Sequence, residues 1–143
     1  MLGGALTGAA SLLHIAIIVV GPSWYRFFGA GERMARLAAS GSLYPAVVTS
    51  TLAVILAVWA LYALSGAGFV RPLPFLRLAL AVIAAVYLIR GILGIPLILV
   101  MDDPYSHQLK AKMTFMIVSS AFCIVLGLCY AIGANAITKR SQP

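Results

Sequence analysis

Four long apolar runs decide what this chain can fold into. They cover residues 2–20, 44–64, 75–101 and 113–136. Their only charged side chains are Arg77 and Arg90, and each run is long enough to cross the roughly 30 Å hydrocarbon core of a bilayer as an α-helix. Membrane β-strands would alternate apolar and polar residues, and these runs do not. The sequence therefore predicts an all-α integral membrane protein. We expect one domain over residues 1–143, an up-down bundle of four helices with both termini on the same side.

The overall composition indicates the same class. Of the 143 residues, 63% are hydrophobic and only 9% are charged, whereas an ordinary soluble domain has roughly a quarter of charged residues. The net charge of +7 does not indicate nucleic-acid binding, because the basic residues stand singly or in pairs between apolar runs and form no basic face. The predicted partner is the lipid bilayer, beside which basic residues act as topology signals.

Aromatic and basic residues alternate in the connection between the first two runs. Residues 21–42 contain Trp24, Tyr25, Arg26 and Arg33, a mixture that favours the headgroup zone of a membrane. We predict a turn and one short interfacial helix that lies on the membrane. The segment is either a belt of interface anchors or a lid or headgroup-binding element.

Small residues in the first and last runs predict close helix packing. Gly4 and Gly8 form a GxxxG step, and Gly127 belongs to a stripe with Cys123 and Ala131 at i, i+4 spacing. These stripes serve contacts within one chain or between protomers. Cys123 and Cys129 face different directions on a helix and are interpreted as buried structural thiols.

Acidic residues are confined to two of the three connections. Glu32, Asp102 and Asp103 are the only three in the chain, and His107 lies close to the last two. In an up-down bundle the first and third connections share one face, so a polar ligand is expected there. The alternative for Asp102-Asp103-Pro104 is an ordinary turn.

Two ionisable residues fall inside the apolar runs. His14 is about 10 Å and Arg90 about 16 Å from the first/third-connection face, and Tyr87 stands one turn before Arg90. An arginine at this depth costs about 2.5 kcal/mol or more and normally faces a partner or a wet cavity. We therefore predict that these three residues line a polar cavity. Arg90 alternatively satisfies backbone carbonyls, and His14 is alternatively a neutral core histidine bonded to a helix backbone.

Three helix-disfavouring residues follow Arg90. Gly91, Gly94 and Pro96 interrupt the second half of the third run, and Pro96 lacks a backbone donor. The pattern resembles the broken helices that line transporter sites. It predicts a discontinuous helix, in which a fold-back brings Asp102 or Asp103 to Arg90.

Enzyme motifs are absent from the sequence, and we predict no catalytic residue, no metal and no cofactor. The predicted function is an oligomeric transporter or channel, or a binder, for a small anion or lipid headgroup. The alternatives are a non-catalytic subunit of a larger membrane complex and a lipid-modifying enzyme. Short connections and the lack of a sorting signal suggest a bacterial inner membrane with cytoplasmic termini. Basic residues nearly balance between the two sides, so a dual topology is the alternative orientation.

Overall fold

The chain forms helices joined by short connections. The computed structural model describes the backbone of residues 1–140 and the side chains of residues 1–137. The helices are α1 (Leu2–Val20), α2 (Pro22–Phe27), α3 (Glu32–Ala39), α4 (Tyr44–Gly66), α5 (Leu76–Val100), α6 (Pro104–Lys110) and α7 (Met113–Arg140). Within this described part there is no strand, and α1, α4, α5 and α7 are long and apolar enough to cross a membrane. The predicted all-α class with four spanning-length helices is confirmed. The C-terminal residues 141–143, whose side was predicted with that of the N-terminus, lie outside the described part.

The first connection holds two short helices where one was predicted. Gly29 and Gly31 separate α2 from α3 and adopt φ values of +75° and +92°, a region that side chains with a Cβ rarely enter. Glycine is also favoured at residue 31 by its close contact with α6, since a Cβ there would lie 3.1 Å from the Tyr105 ring. The chain therefore turns between α2 and α3 and cannot continue as one helix.

A third short helix, α6, occupies the segment that was interpreted as a turn. Its N-cap residue Asp103 accepts hydrogen bonds from the backbone N–H groups of Tyr105 and Ser106, and the Ser106 hydroxyl accepts one from the Asp103 N–H. Pro104 follows at the first helical position. A capping residue before a proline starts a helix, because the proline has no N–H to leave unsatisfied.

The predicted break in the third run is wrong. Helix α5 continues through Gly91, Gly94 and Pro96 to Val100. Pro96 removes only one backbone donor near the helix end, and Gly91 has a packing function. A Cβ on Gly91 would lie 2.6 Å from Ile124 Cγ1 of α7, so this glycine allows a close approach of two helices and does not unwind one.

The spanning-length helices associate as two tight pairs, α1 with α4 and α5 with α7. The two pairs meet where α4 contacts α5 and α7 and where α1 contacts α7. The core contains residues from the first half of α5 and the second half of α7: Leu80, Ile83, Ala84, Tyr87, Leu126, Tyr130 and Ala134. Beyond Gly91, no residue of α5 is buried. The two pairs are therefore joined mainly at the end that carries the N-terminus.

The predicted packing glycines differ in how closely their neighbours approach. A Cβ on Gly127 would lie 2.7 Å from Leu88 Cγ, and one on Gly4 would lie 3.0 Å from Ala63 Cβ. At Gly8 the closest atom is Ala60 Cβ, at 3.9 Å, which is ordinary contact. All three glycines face helices of the same chain in this structure.

We expect Gly127→Ala to destabilise the protein by about 1–3 kcal/mol, because the added methyl overpacks the α5–α7 contact. Gly8→Ala is the matched control, since it gains the same helix propensity and its added methyl meets only an ordinary contact with Ala60. The free energy of unfolding would be measured by circular dichroism in mixed detergent micelles. Equal stabilities of the two variants would contradict the close approach at Gly127.

Candidate functional site

One buried hydrogen-bonded cluster includes a residue from each spanning-length helix. The Thr7 Oγ1 of α1 lies 3.4 Å from the Tyr87 hydroxyl of α5 and 3.2 Å from the Tyr130 hydroxyl of α7. The Tyr130 hydroxyl is also 2.9 Å from the Trp59 carbonyl of α4. The three aromatic rings contact one another in series: Trp59 meets Tyr87 edge to face, with centroids 5.2 Å apart, and Tyr87 meets Tyr130 at a tilt, with centroids 5.8 Å apart.

A single arrangement of protons satisfies the three hydroxyls. Tyr87 donates to Thr7, Thr7 donates to Tyr130, and Tyr130 donates to the carbonyl of Trp59, so each hydroxyl donates once. Tyr87 was predicted to face Arg90, but the structure turns its hydroxyl toward Thr7. The cluster thus joins the two helix pairs and leaves Arg90 without this partner.

We expect Thr7→Val to lower the free energy of unfolding by about 1 kcal/mol, because it leaves Tyr87 without its acceptor. The control is Thr51→Val, whose hydroxyl only donates to Val47 of its own helix at the exposed surface. Chemical denaturation in detergent, followed by circular dichroism, measures both. A Thr7→Val variant as stable as Thr51→Val would show that the cluster adds nothing to helix association.

Arg90 and Ser120 approach each other over Gly94. A Cβ on Gly94 would collide with the Arg90 guanidinium, and it would lie 3.4 Å from Ser120 Oγ. The guanidinium therefore points one turn toward the C-terminal end of α5, about 9 Å from that end. Ser120 is only 3% exposed and its Oγ has no hydrogen-bond partner. The two helices thus bring a cation and an unsatisfied hydroxyl to the same depth.

All three acidic side chains of the chain are engaged elsewhere. Glu32 pairs with Arg26, whose Nε lies 2.8 Å from the carboxylate. Asp102 pairs with His107 at 2.8 Å, and Asp103 caps α6. The predicted fold-back of Asp102 or Asp103 onto Arg90 is therefore wrong. Since the acids remain in the connections, Arg90 has no ion pair within the part of the chain that the structure describes.

Of the two arrangements predicted for His14, the structure shows the one in which its ring is bonded to the backbone of its own helix. Its Nδ1 donates to the carbonyl of Ala10 at 2.7 Å, and the ring is half-buried. This bond within one helix fixes the proton on Nδ1. The structure assigns His14 no hydrogen bond to Arg90 or Tyr87, so these three side chains do not form one connected group.

The first and third connections meet in a cleft of about 470 Å³, whose rim includes the charged side chains of Arg26, Glu32 and Lys112. Three side chains near α6 bind backbone groups between residues 26 and 32. Tyr105 donates to the Gly29 carbonyl at 3.1 Å, Gln108 accepts from the Glu32 N–H at 2.9 Å, and Lys112 donates to the Arg26 carbonyl. These bonds hold α2 and α3 against α6, so the polar residues of both connections lie at one end of the bundle.

Tyr105 lines this cleft, and the charge of Arg90 acts on its hydroxyl. Burial raises the pKa of the Tyr105 hydroxyl, and the positive charge of Arg90 opposes that increase. Arg90 is therefore close enough to act electrostatically on a residue that lines the cleft. Tyr105, Ser120, Gln108 and Lys112 were not among the predicted site residues. The relevant sequence signal was a pair of hydroxyl residues, Ser119 and Ser120, within an apolar run.

The predicted interfacial anchors separate into two groups. Arg26 and Arg33 are exposed, whereas Tyr25 is 2% exposed and packs with Ile17 and Ala35 beneath α2 and α3. Trp24 is half-buried against Phe28, with ring centroids 5.4 Å apart. Tyr25 thus forms a small satellite core and does not lie in the outer surface of the segment.

The Arg26–Glu32 pair makes the cleft sensitive to acid. Hydrogen bonds from Arg26 lower the pKa of Glu32 below its ordinary value of about 4.3; desolvation opposes this shift, and the charges of Arg26 and Arg36 add to it. A lowered carboxyl pKa means that the contribution of the pair is complete above that value. It is lost as the pH falls through the lowered pKa.

We expect the packing of α2 on α3 to be unchanged from pH 7 to about 5 and to loosen below about pH 4. Trp24 fluorescence in a Trp59→Phe background reports it locally, because an exposed pair adds little to global stability. Glu32→Gln should appear loosened already at pH 7, and the control Asp102→Asn should behave as the parent. An acid transition that persists in Glu32→Gln would assign the effect to another group.

Comparison with known proteins identifies no relative. No family model, no curated protein and no solved structure matches this chain. Among the described residues, no group of three or more His, Cys, Asp or Glu side chains could hold a metal ion. The functional argument therefore depends on the chemistry of the site itself.

Proposed function

We propose that this protein is an integral membrane protein that binds an anionic group, either a small anion or a lipid headgroup, at Arg90. The observation that carries the proposal is the charge balance around this residue. The chain has three acidic side chains, and all three are paired or capped in the connections. A counter-charge for Arg90 is therefore expected from a ligand.

The energetic argument follows from the position of Arg90 in a helix of spanning length. A lone arginine in this position costs about 2.5 kcal/mol or more in a bilayer, and binding an anion offsets that cost. The guanidinium offers several N–H donors in one plane, which suit the oxygens of phosphate or carboxylate. The unpartnered hydroxyl of Ser120 supplies one further donor from α7.

The membrane setting of this site is part of the same proposal. Four helices of spanning length and apolar composition, joined by short connections, favour an inserted up-down bundle with both termini on one side. A bacterial inner membrane with cytoplasmic termini is the proposed location. The aromatic and basic residues of the first connection suit a headgroup zone at the first/third-connection face.

We extend the proposal from binding to transport, carried out by a homo-oligomer. Four helices enclose little volume, and Arg90 is exposed at the surface of this single bundle. A second copy, or another membrane subunit, would cover it and line a path with it. The accessory-subunit alternative also gives Arg90 a partner, an acidic side chain of the other subunit, whereas the lipid-enzyme alternative does not account for this cation.

We expect Arg90→Gln to weaken anion binding at least tenfold while the protein still folds, because the variant removes an unpaired charge. Arg77→Gln is the matched control, since it changes an exposed arginine in the first turn of the same helix. Binding would be measured as thermal stabilisation in detergent on titration with sulfate, phosphate and phosphatidylglycerol.

A second pair of variants tests whether the Ser120 hydroxyl contributes to anion binding. Ser120→Ala should weaken binding more than Ser119→Ala does, because the Ser119 hydroxyl already donates to the carbonyl of Met116. Binding that is unchanged in Arg90→Gln for every anion would overturn the proposal. Loss of the folded state in Arg90→Gln alone would instead indicate a structural role for the guanidinium.

A further inference from the structure

We infer that the anion at Arg90 is an oxyanion that presents two or more oxygens, and that Gly94 makes the site selective for it by seating one nitrogen of the guanidinium. The inference rests on the proposed function and specifies its ligand class. It is carried by two features: the slot above the bare backbone of Gly94, and the atom of Arg90 that occupies this slot.

Gly94 leaves a slot beside α7 that any side chain at this position would fill. A Cβ on Gly94 would collide with Nη1 of Arg90, and it would lie 3.3 Å from Cζ of Arg90 and 3.4 Å from Ser120 Oγ. Gly94 lies in the interior of α5, where alanine is the more favourable residue for a helix. Glycine at this position is therefore explained by the room that it leaves for the guanidinium.

The position of the slot is fixed by Gly91, one turn earlier on the same helix. A Cβ on Gly91 would lie 2.6 Å from Ile124 Cγ1 and 2.9 Å from the carbonyl oxygen of Ser120, so the backbones of α5 and α7 are in contact there. Because residues three apart are neighbours on a helix surface, the slot over Gly94 lies next to this contact. The two glycines thus have different functions: Gly91 allows the helices to approach, and Gly94 holds the guanidinium.

The seated nitrogen determines which edge of the guanidinium faces a ligand. Nη1 and Cζ are the atoms of Arg90 nearest to the slot, and Nε and Nη2 lie farther from it than Ser120 Oγ does. Since Arg90 is exposed as a residue, the edge formed by Nε and Nη2 is the one directed away from the slot. The parallel N–H groups of that edge match two oxygens of a carboxylate or a phosphate, whereas a spherical halide ion has no second acceptor atom to pair with them.

A methyl group added at Gly94 acts on the guanidinium alone. The atom that it displaces is the far end of a flexible side chain, and its contact with Ser120 Oγ, at 3.4 Å, is ordinary. Beyond Gly91 no residue of α5 is buried, so the methyl does not disturb the core. The substitution therefore separates binding from folding, because the charge of Arg90 remains and only its direction changes.

Anion titrations of Gly94→Ala test the inference. Thermal stabilisation of the full chain in detergent would be measured with formate, phosphate and chloride at equal ionic strength, and the response of Arg90→Gln would be subtracted. In the wild type, formate and phosphate should bind about tenfold more tightly than chloride. Gly94→Ala should lose that preference, although its melting temperature without ligand should not fall, because alanine favours the helix. Gly133→Ala, whose Cβ would meet only Leu80 Cδ1 at 3.9 Å, is the matched control.

A double-mutant cycle separates a positioning role of Gly94 from a merely structural one. If Gly94 acts through the guanidinium, adding Gly94→Ala to Arg90→Gln should cause no further loss of oxyanion binding. A further loss of about tenfold in the double variant would show that the methyl acts on another part of the protein. That result would overturn the role assigned to Gly94.

Soluble phosphate and phosphatidylglycerol in mixed micelles distinguish the two sources of such an oxyanion. Arg90-dependent binding of either one supports the inference, and the one that binds identifies the source as the aqueous phase or a lipid headgroup. Chloride that binds as tightly as formate and phosphate, or oxyanion binding that is unchanged in Gly94→Ala, would overturn the inference and leave anion binding at Arg90 intact. Absence of any Arg90-dependent anion, lipid or soluble, would remove both proposals.

Discussion

The hydrogen-bonded cluster around Thr7 is the interaction on which the arrangement of the four long helices depends. In a bilayer the hydrophobic effect does not hold helices together, because lipid tails are as apolar as leucine side chains. Association then depends on close packing and on polar contacts between helices. Close packing joins α1 to α4 at Gly4 and α5 to α7 at Gly91 and Gly127. The chain of hydroxyls from Tyr87 to the Trp59 carbonyl joins one pair to the other.

The functional site is likewise defined by which polar groups have partners within the chain. The cluster uses its hydroxyls completely, and the connections use all three acids in an ion pair, a histidine pair and a helix cap. In the α5–α7 pair, Arg90 lies within the apolar span and has no ion pair among the described residues, and Ser120 Oγ is buried without a hydrogen-bond partner. They lie at similar depth, on the side of the bundle where Tyr105, Gln108 and Lys112 hold the first connection against the third. An anion supplied from outside satisfies both, and this is the basis of the proposed function.

The positions of the polar residues could be predicted from the sequence better than the residues with which they form contacts. The confinement of the acids to two connections was visible in the sequence, and the structure brings those connections together through Tyr105 and Gln108. The capping of α6 by Asp103 was missed, because the segment was interpreted as a turn, although a capping residue before proline is a helix-start signal. Ser120 as a neighbour of Arg90, and Thr7 as a neighbour of Tyr87, were not readable. Those contacts join residues 30 and 80 positions apart, and no local pattern encodes which hydroxyl faces which helix.

The sequence by itself determined the class of this protein and the length and position of its long helices. Uninterrupted apolar runs have one stable form in lipid, the helix that satisfies its own backbone hydrogen bonds. The tertiary structure alone decided how tightly the helices pair, that α5 remains continuous through Pro96, and that Tyr87 faces Thr7 while Arg90 lies over Gly94. The reason is that spanning a bilayer is a property of each segment, whereas a polar partner depends on the rotation and approach of two helices. Differences of a few tenths of an ångström at Gly91 and Gly127 decide that approach.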